Sequence, residues 1–190
     1  MNLCRHLLAV PGMAAVAFVL LLLGLAARAR GADNPFVSDG DLQAAVRSLG
    51  FLENLPHDGR VVIGVIYDAG LPSGRTQAEG TAARLGAMPG PYSATLRTVV
   101  IATDALNPFQ GRLDALFLMP GASRRSDELL PVVLARHLVS VSDDPACLDH
   151  DCCVLMVQAG PRVEIVLDTR LASATHSHFS AVFAMMVKRK

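Results

Sequence analysis

The segment "RVVIGVIYDAG", residues 60–70, does most to limit what this chain can fold into. Its apolar residues run almost without a break and are rich in Val and Ile. That is the pattern of a strand buried on both faces, as in parallel sheets, not of one alternating between core and water. Such a strand needs cover above and below, and its neighbours supply it. Ahead of it, "DLQAAVRSLGFLENL" reads as an amphipathic helix capped by Asp39 or Asp41 and stopped at Pro56, with His57 in the turn that follows. Behind it, "RTQAEGTAARLG" reads as a helix ending at Gly86.

The alternation continues along the chain. "TLRTVVIATDAL" and "DALFLMPG" are expected strands, and "RRSDELLPVVLARHL" is an expected helix in which Pro131 forms a kink or marks the first turn. A fourth strand begins at His137 in "HLVSVSDDP", and "CVLMVQAGPRVEIVLD" gives two strands around a Gly-Pro turn. "TRLASATHSHFSAVFAMMV" closes the chain as one or two helices. The expected fold is therefore α/β: a single domain with a mostly parallel sheet flanked by helices, a C-terminal antiparallel β-hairpin and a terminal helix.

The N-terminus places this domain in a compartment. Arg5 and His6, an apolar run from Val16 to Ala27 and the small-x-small sets at Ala27–Ala29 and Ala29–Gly31 have the layout of a secretory signal peptide. Residues 1–29 are expected to be removed, with cleavage between 29 and 32, and residues 30–190 to form the exported domain. Cleavage removes Arg5 and Arg28 and leaves 15 basic against 17 acidic residues. That balance disfavours nucleic acid and anionic lipid surfaces as partners, and no later apolar run is long enough to insert into a membrane.

Candidate chemistry falls in two places. Asp68, Asp104, Asp143 and Asp144 each follow an expected strand, so some share the carboxyl edge of the sheet, where open α/β folds bind ligands. Together they could hold Mg²⁺, although Asp in that position commonly caps turns. "DAGLPSGRT" lacks the spacing of a dinucleotide or P-loop, so Gly70, Pro72 and Gly74 read as turn residues. The histidines offer little: His176 and His178 are two residues apart and diverge on a helix.

The second place is "CLDHDCC", Cys147 to Cys153. In an oxidising compartment, Cys147 is expected to bridge either Cys152 or Cys153. If Cys152 and Cys153 begin a strand they face opposite sides, and only one can reach back. The third thiol is then either buried and inert or available for an intermolecular bond. Zinc held by Cys147, His150 and one of the later cysteines has tighter spacing than usual zinc frames. A Cys153–His150 nucleophile pair competes poorly with cross-linking. No catalytic residue, metal or cofactor is assigned.

Read together, "FLENLP" before "RVVIGVIYD", then "LVSVSDDPACL", the hairpin "VLMVQAGPRVEIVLD" and a cysteine pair bracketing the loop before that hairpin resemble the YfiR-type periplasmic regulators. The chain departs from that pattern at Leu55, where an aromatic is usual, at Val166-Leu167-Asp168 and in "AVFAMMV". The resemblance implies a non-enzymatic periplasmic protein that binds the periplasmic part of an inner-membrane diguanylate cyclase or sensor kinase and restrains it. It also implies disulfide-dependent stability, a link to cyclic-di-GMP and biofilm, and the capacity to form a homodimer. A second reading starts from "VVIGVIYDAGLPSG", which resembles the opening of small solute-binding transporter receptors and would seat a ligand near Asp68 and Gly70.

Overall fold

The computed structural model describes residues 37–56 and 59–190. The expected signal peptide, its cleavage site and His57 lie outside the described residues. Within them the chain is α/β. A seven-stranded sheet runs in the order β2-β1-β3-β4-β5-β6-β7, with helices on both faces. Its strands are β1 (Arg60–Tyr67), β2 (Thr95–Ala102), β3 (Ala115–Leu118), β4 (Val139–Ser142), β5 (Leu155–Ala159), β6 (Val163–Leu167) and β7 (Lys188–Arg189). The first five in spatial order are parallel, and β6 returns antiparallel to β5 as the expected hairpin. The two-residue β7, which the sequence pattern does not announce, lies parallel to β6.

The helices are α1 (Asp39–Leu49), α2 (Gly74–Gly86), α3 (Ser126–Ala135), α4 (Ala146–Asp149), α5 (Thr169–Ala174) and α6 (Ala181–Met186). Strand alternation distributes the core between the two layers. On β3, Ala115 and Phe117 join the layer containing Leu42, Leu85 and Phe183 from α1, α2 and α6. Leu116 and Leu118 join the opposite layer, with Leu129 and Val133 of α3 and all three cysteines of the 147–153 segment. All four β3 residues are buried, as expected of a central parallel strand.

Several local expectations are corrected. The cap of α1 is Ser38, not Asp39 or Asp41: its hydroxyl accepts from the Asp41 backbone N at 3.1 Å, and the Asp41 carboxylate accepts from the Ser38 N at 3.1 Å. The helix stops at Gly50, and the remaining apolar residues continue as turns that still bury Leu52 and Leu55. Pro131 lies inside α3, not in its first turn, on the exposed side of the helix. His137 does not begin β4. It follows α3 with φ 52°, and β4 starts two residues later at Val139. Cys152 and Cys153 precede β5, which begins at Leu155, because the short helix α4 takes up part of the expected loop.

Candidate functional site

Spatial order 2-1-3 means that the chain leaves β1 in one direction and returns on its other side, so the carboxyl ends of β1 and β3 border the switch-point crevice. Asp68 stands there, 8 % exposed. One of its oxygens accepts from the Gly70 N at 2.9 Å and lies 3.7 Å from an Arg125 Nη, whose guanidinium also pairs with Glu128. Gly74 is required beside it, since a Cβ there would approach the Asp68 carbonyl to 2.7 Å. Asp144 reaches the same loop from β4. It accepts from the Gly121 N at 3.2 Å, the Ser123 hydroxyl at 3.4 Å and the Ala146 N at 3.0 Å. Asp68 and Asp144 thus bind the 121–125 turn from two sides.

The other two aspartates do not join them. Asp104 is exposed in a 3₁₀ turn at Thr103–Ala105. Asp143 turns toward Asp41 at the start of α1, with one oxygen buried and unbonded. Burial, then the charges of Asp41 and Asp144, pushes its carboxyl up to about 7. Among the described residues, no group of three His, Cys, Asp or Glu side chains is arranged to hold a metal ion. At the carboxyl edge Asp68 and Asp144 are turn-capping carboxylates, and Gly70 is a turn residue as expected, whereas Gly74 is the first residue of α2.

In the cysteine segment, Cys147 is bonded to Cys153, with Cα atoms 5.5 Å apart. Cys152 is the free thiol. It is fully buried, with Sγ 3.5 Å from the Cys147 carbonyl, and burial followed by the Asp144 charge pushes it up to about 12. A thiol so protonated neither attacks the adjacent disulfide readily nor serves as a nucleophile. His150 lies exposed on the bridged loop. Asp151, just before Cys152, accepts from Lys190 Nζ at 2.8 Å and lies 2.8 Å from Arg170. Lys190 also donates to the Leu148 carbonyl, so the stapled loop grips the segment that follows β7.

That segment leads back to an apolar surface. Gly40, Ala44 and Arg47 of α1, Val163 and Ile165 of β6, and Phe183 and Met186 of α6 line a groove of about 260 Å³. Its floor is set by ring packing. Phe183, buried, stacks on Phe51 at 4.9 Å and on Phe179 at 5.2 Å between centroids. Of the lining residues Met186 is 64 % exposed and Val163 59 %, and Met185 and Val182, on α6 but outside the groove, are exposed as well. These apolar side chains occur together on neighbouring elements, unlike the scattered exposed apolar residues usual on a monomer. Arg47 lines the groove, and Arg162 and Arg189 stand exposed on the neighbouring elements. The "AVFAMMV" stretch signals part of this surface. The contribution of α1 and β6 depends on contacts that no local pattern encodes.

No helix among the described residues is long and apolar enough to cross a membrane. Compared with known proteins, the chain matches no family model and no curated sequence.

Proposed function

We propose that this protein is a non-enzymatic, exported regulatory module that binds the periplasmic part of an inner-membrane signalling protein, a diguanylate cyclase or a sensor kinase, and restrains it. The observation that carries this reading is the apolar groove between α1, β6 and α6, in which Met186 and Val163 are exposed. Methionine adapts to a partner's side chains, and an apolar groove is costly to leave facing water. Arg47 in its lining favours a partner segment that is apolar along one face and acidic beside it.

The disulfide enters through the C-terminus. Cys147–Cys153 fixes the loop whose Asp151 and Leu148 hold Lys190, and Lys190 N donates to the Leu167 carbonyl at 3.0 Å beside β7. Loss of the bridge loosens this anchor and with it the register of α6 against β6. Export to an oxidising compartment agrees with a buried bridge of this kind.

The test is site-specific photo-crosslinking in bacteria that carry the gene's own genomic neighbours, with the reactive group placed at Val163, which lines the groove and is exposed. A crosslink to the periplasmic domain of a membrane cyclase or kinase, lost in Met186→Asp and accompanied by raised cyclic-di-GMP or kinase output, supports the reading. Crosslinking that is indifferent to Met186→Asp overturns it. So does a small solute retained in a native mass spectrum and released by Asp68→Asn, which puts the transporter-receptor reading in its place.

A further inference from the structure

His137 and His176 are 39 positions apart in the chain, yet their rings stack with centroids 4.4 Å apart and planes at 25°. The cause lies in two matching helix ends. At the end of α3, the His137 N donates to the Leu134 carbonyl and the Leu138 N to the Val133 carbonyl. At the end of α5, the His176 N donates to the Ser173 carbonyl and the Ser177 N to the Ala172 carbonyl. Each is a helix-terminating pair of hydrogen bonds that favours a left-handed residue, usually Gly, and here it is histidine at φ 52° and 55°. The α5 end is tied down further. Asn54 donates to the His176 carbonyl at 2.9 Å and accepts from the His178 N, and the Glu53 N donates to the His178 carbonyl at 2.7 Å. Both backbones are thus fixed while both side chains remain exposed.

From this geometry we propose that His137 and His176 form a two-imidazole binding site for a divalent transition metal ion, Cu²⁺ foremost. Among the described residues, neither ring's nitrogens make a hydrogen bond, so rotation about the side-chain bonds breaks none. With centroids 4.4 Å apart, a turn of the two rings would let one nitrogen of each face a shared ion, and imidazole is a ligand well suited to Zn²⁺, Ni²⁺ and Cu²⁺, with affinity peaking at Cu²⁺. His137 also lines a polar hollow of about 160 Å³ with Asn54, Asp114 and Ser177, which leaves room for the waters that complete the shell. Arg136 also lines this hollow, and its guanidinium is held by donating to the Phe109 and Gly111 carbonyls at 2.9 and 2.7 Å. The site is independent of the apolar groove.

The experiment is a titration of tag-free protein with Cu²⁺ followed by electron paramagnetic resonance, alongside His137→Asn, His176→Asn and the control His150→Asn. Asparagine tolerates the left-handed backbone, so these variants keep their helix ends, which circular dichroism checks. One equivalent bound through two imidazole nitrogens, at least tenfold more tightly than in either variant and unchanged in the control, is the expected result. Binding that survives either substitution, or a wild-type signal with a single imidazole nitrogen, overturns the site.

Discussion

The carboxyl edge of the sheet and the groove between α1, β6 and α6 make opposite use of their side chains. At the switch-point crevice, where a doubly wound sheet most often binds a ligand, Asp68 and Asp144 are consumed by bonds to Gly70, Arg125, Gly121, Ser123 and Ala146. At the groove, Met186 and Val163 leave most of their apolar surface unpacked. Position in a fold therefore marks where a site can be. Whether side chains are satisfied internally distinguishes scaffold from contact surface.

The contrast predicts opposite mutational signatures. At the carboxyl edge, Asp144→Ala strands two buried-side amide donors and a hydroxyl, and is expected to cost about 3 kcal/mol in chemical denaturation. Gly74→Ala forces a Cβ against the Asp68 carbonyl and should cost a similar amount, again with no effect specific to binding. An undiminished denaturation midpoint in Asp144→Ala would mean that the carboxylate is not structural. Removing the staple with Cys147→Ala and Cys153→Ala together is expected to cost about 2 kcal/mol, since the bridge closes only a short loop. Thermal melting with and without a reductant checks this, and the double variant should be insensitive to the reductant.

A smaller effect concerns Asp143. Its folded carboxyl titrates at about 7, against an ordinary 3.8, so between those values the folded chain holds a proton that the unfolded chain has lost. This group's contribution to stability is fully present at pH below 3.8 and disappears as pH rises through about 7. Asp143→Asn should accordingly stabilise the protein clearly more at pH 8 than at pH 4. Denaturation at the two pH values separates this from a simple packing change, which would be equal at both.

How much of this was legible in the sequence depends on how far apart the cooperating residues lie. Each of the first six strands was visible, because a run such as Arg60–Tyr67 carries its burial in its own composition. Element ends were less legible. Ser38 takes the cap from Asp39 through a bond to Asp41, and His137 ends α3 because non-glycine residues can adopt the left-handed turn when two carbonyls need donors. The cysteine segment announced a bridge but not its partner, since the choice of Cys153 over Cys152 follows from α4, which the pattern hid. The aspartates at strand ends were placed correctly along the chain. Which of them meet was decided by the 121–125 turn, and the stacking of His137 on His176 by two helix ends far apart in sequence.

The smallest expected change in stability is the sharpest test of the comparison. Met186 is 64 % exposed, so Met186→Asp removes little buried area and should shift unfolding by less than about 1 kcal/mol. The same substitution places a carboxylate in the lining of a groove whose Arg47 favours an acidic partner, adding both desolvation cost and like-charge repulsion to any complex. Met186→Asp should therefore abolish the crosslink or co-purification of the signalling partner while leaving the melting temperature close to where it was. Phe183→Ala should do the reverse of this separation, losing about 3 kcal/mol because the ring is buried between Phe51 and Phe179. A Met186→Asp protein that melts early would show that this side chain is part of the core. One that melts normally and still binds would show that the groove is not the contact, and the division between satisfied edge and unsatisfied groove would lose its functional meaning.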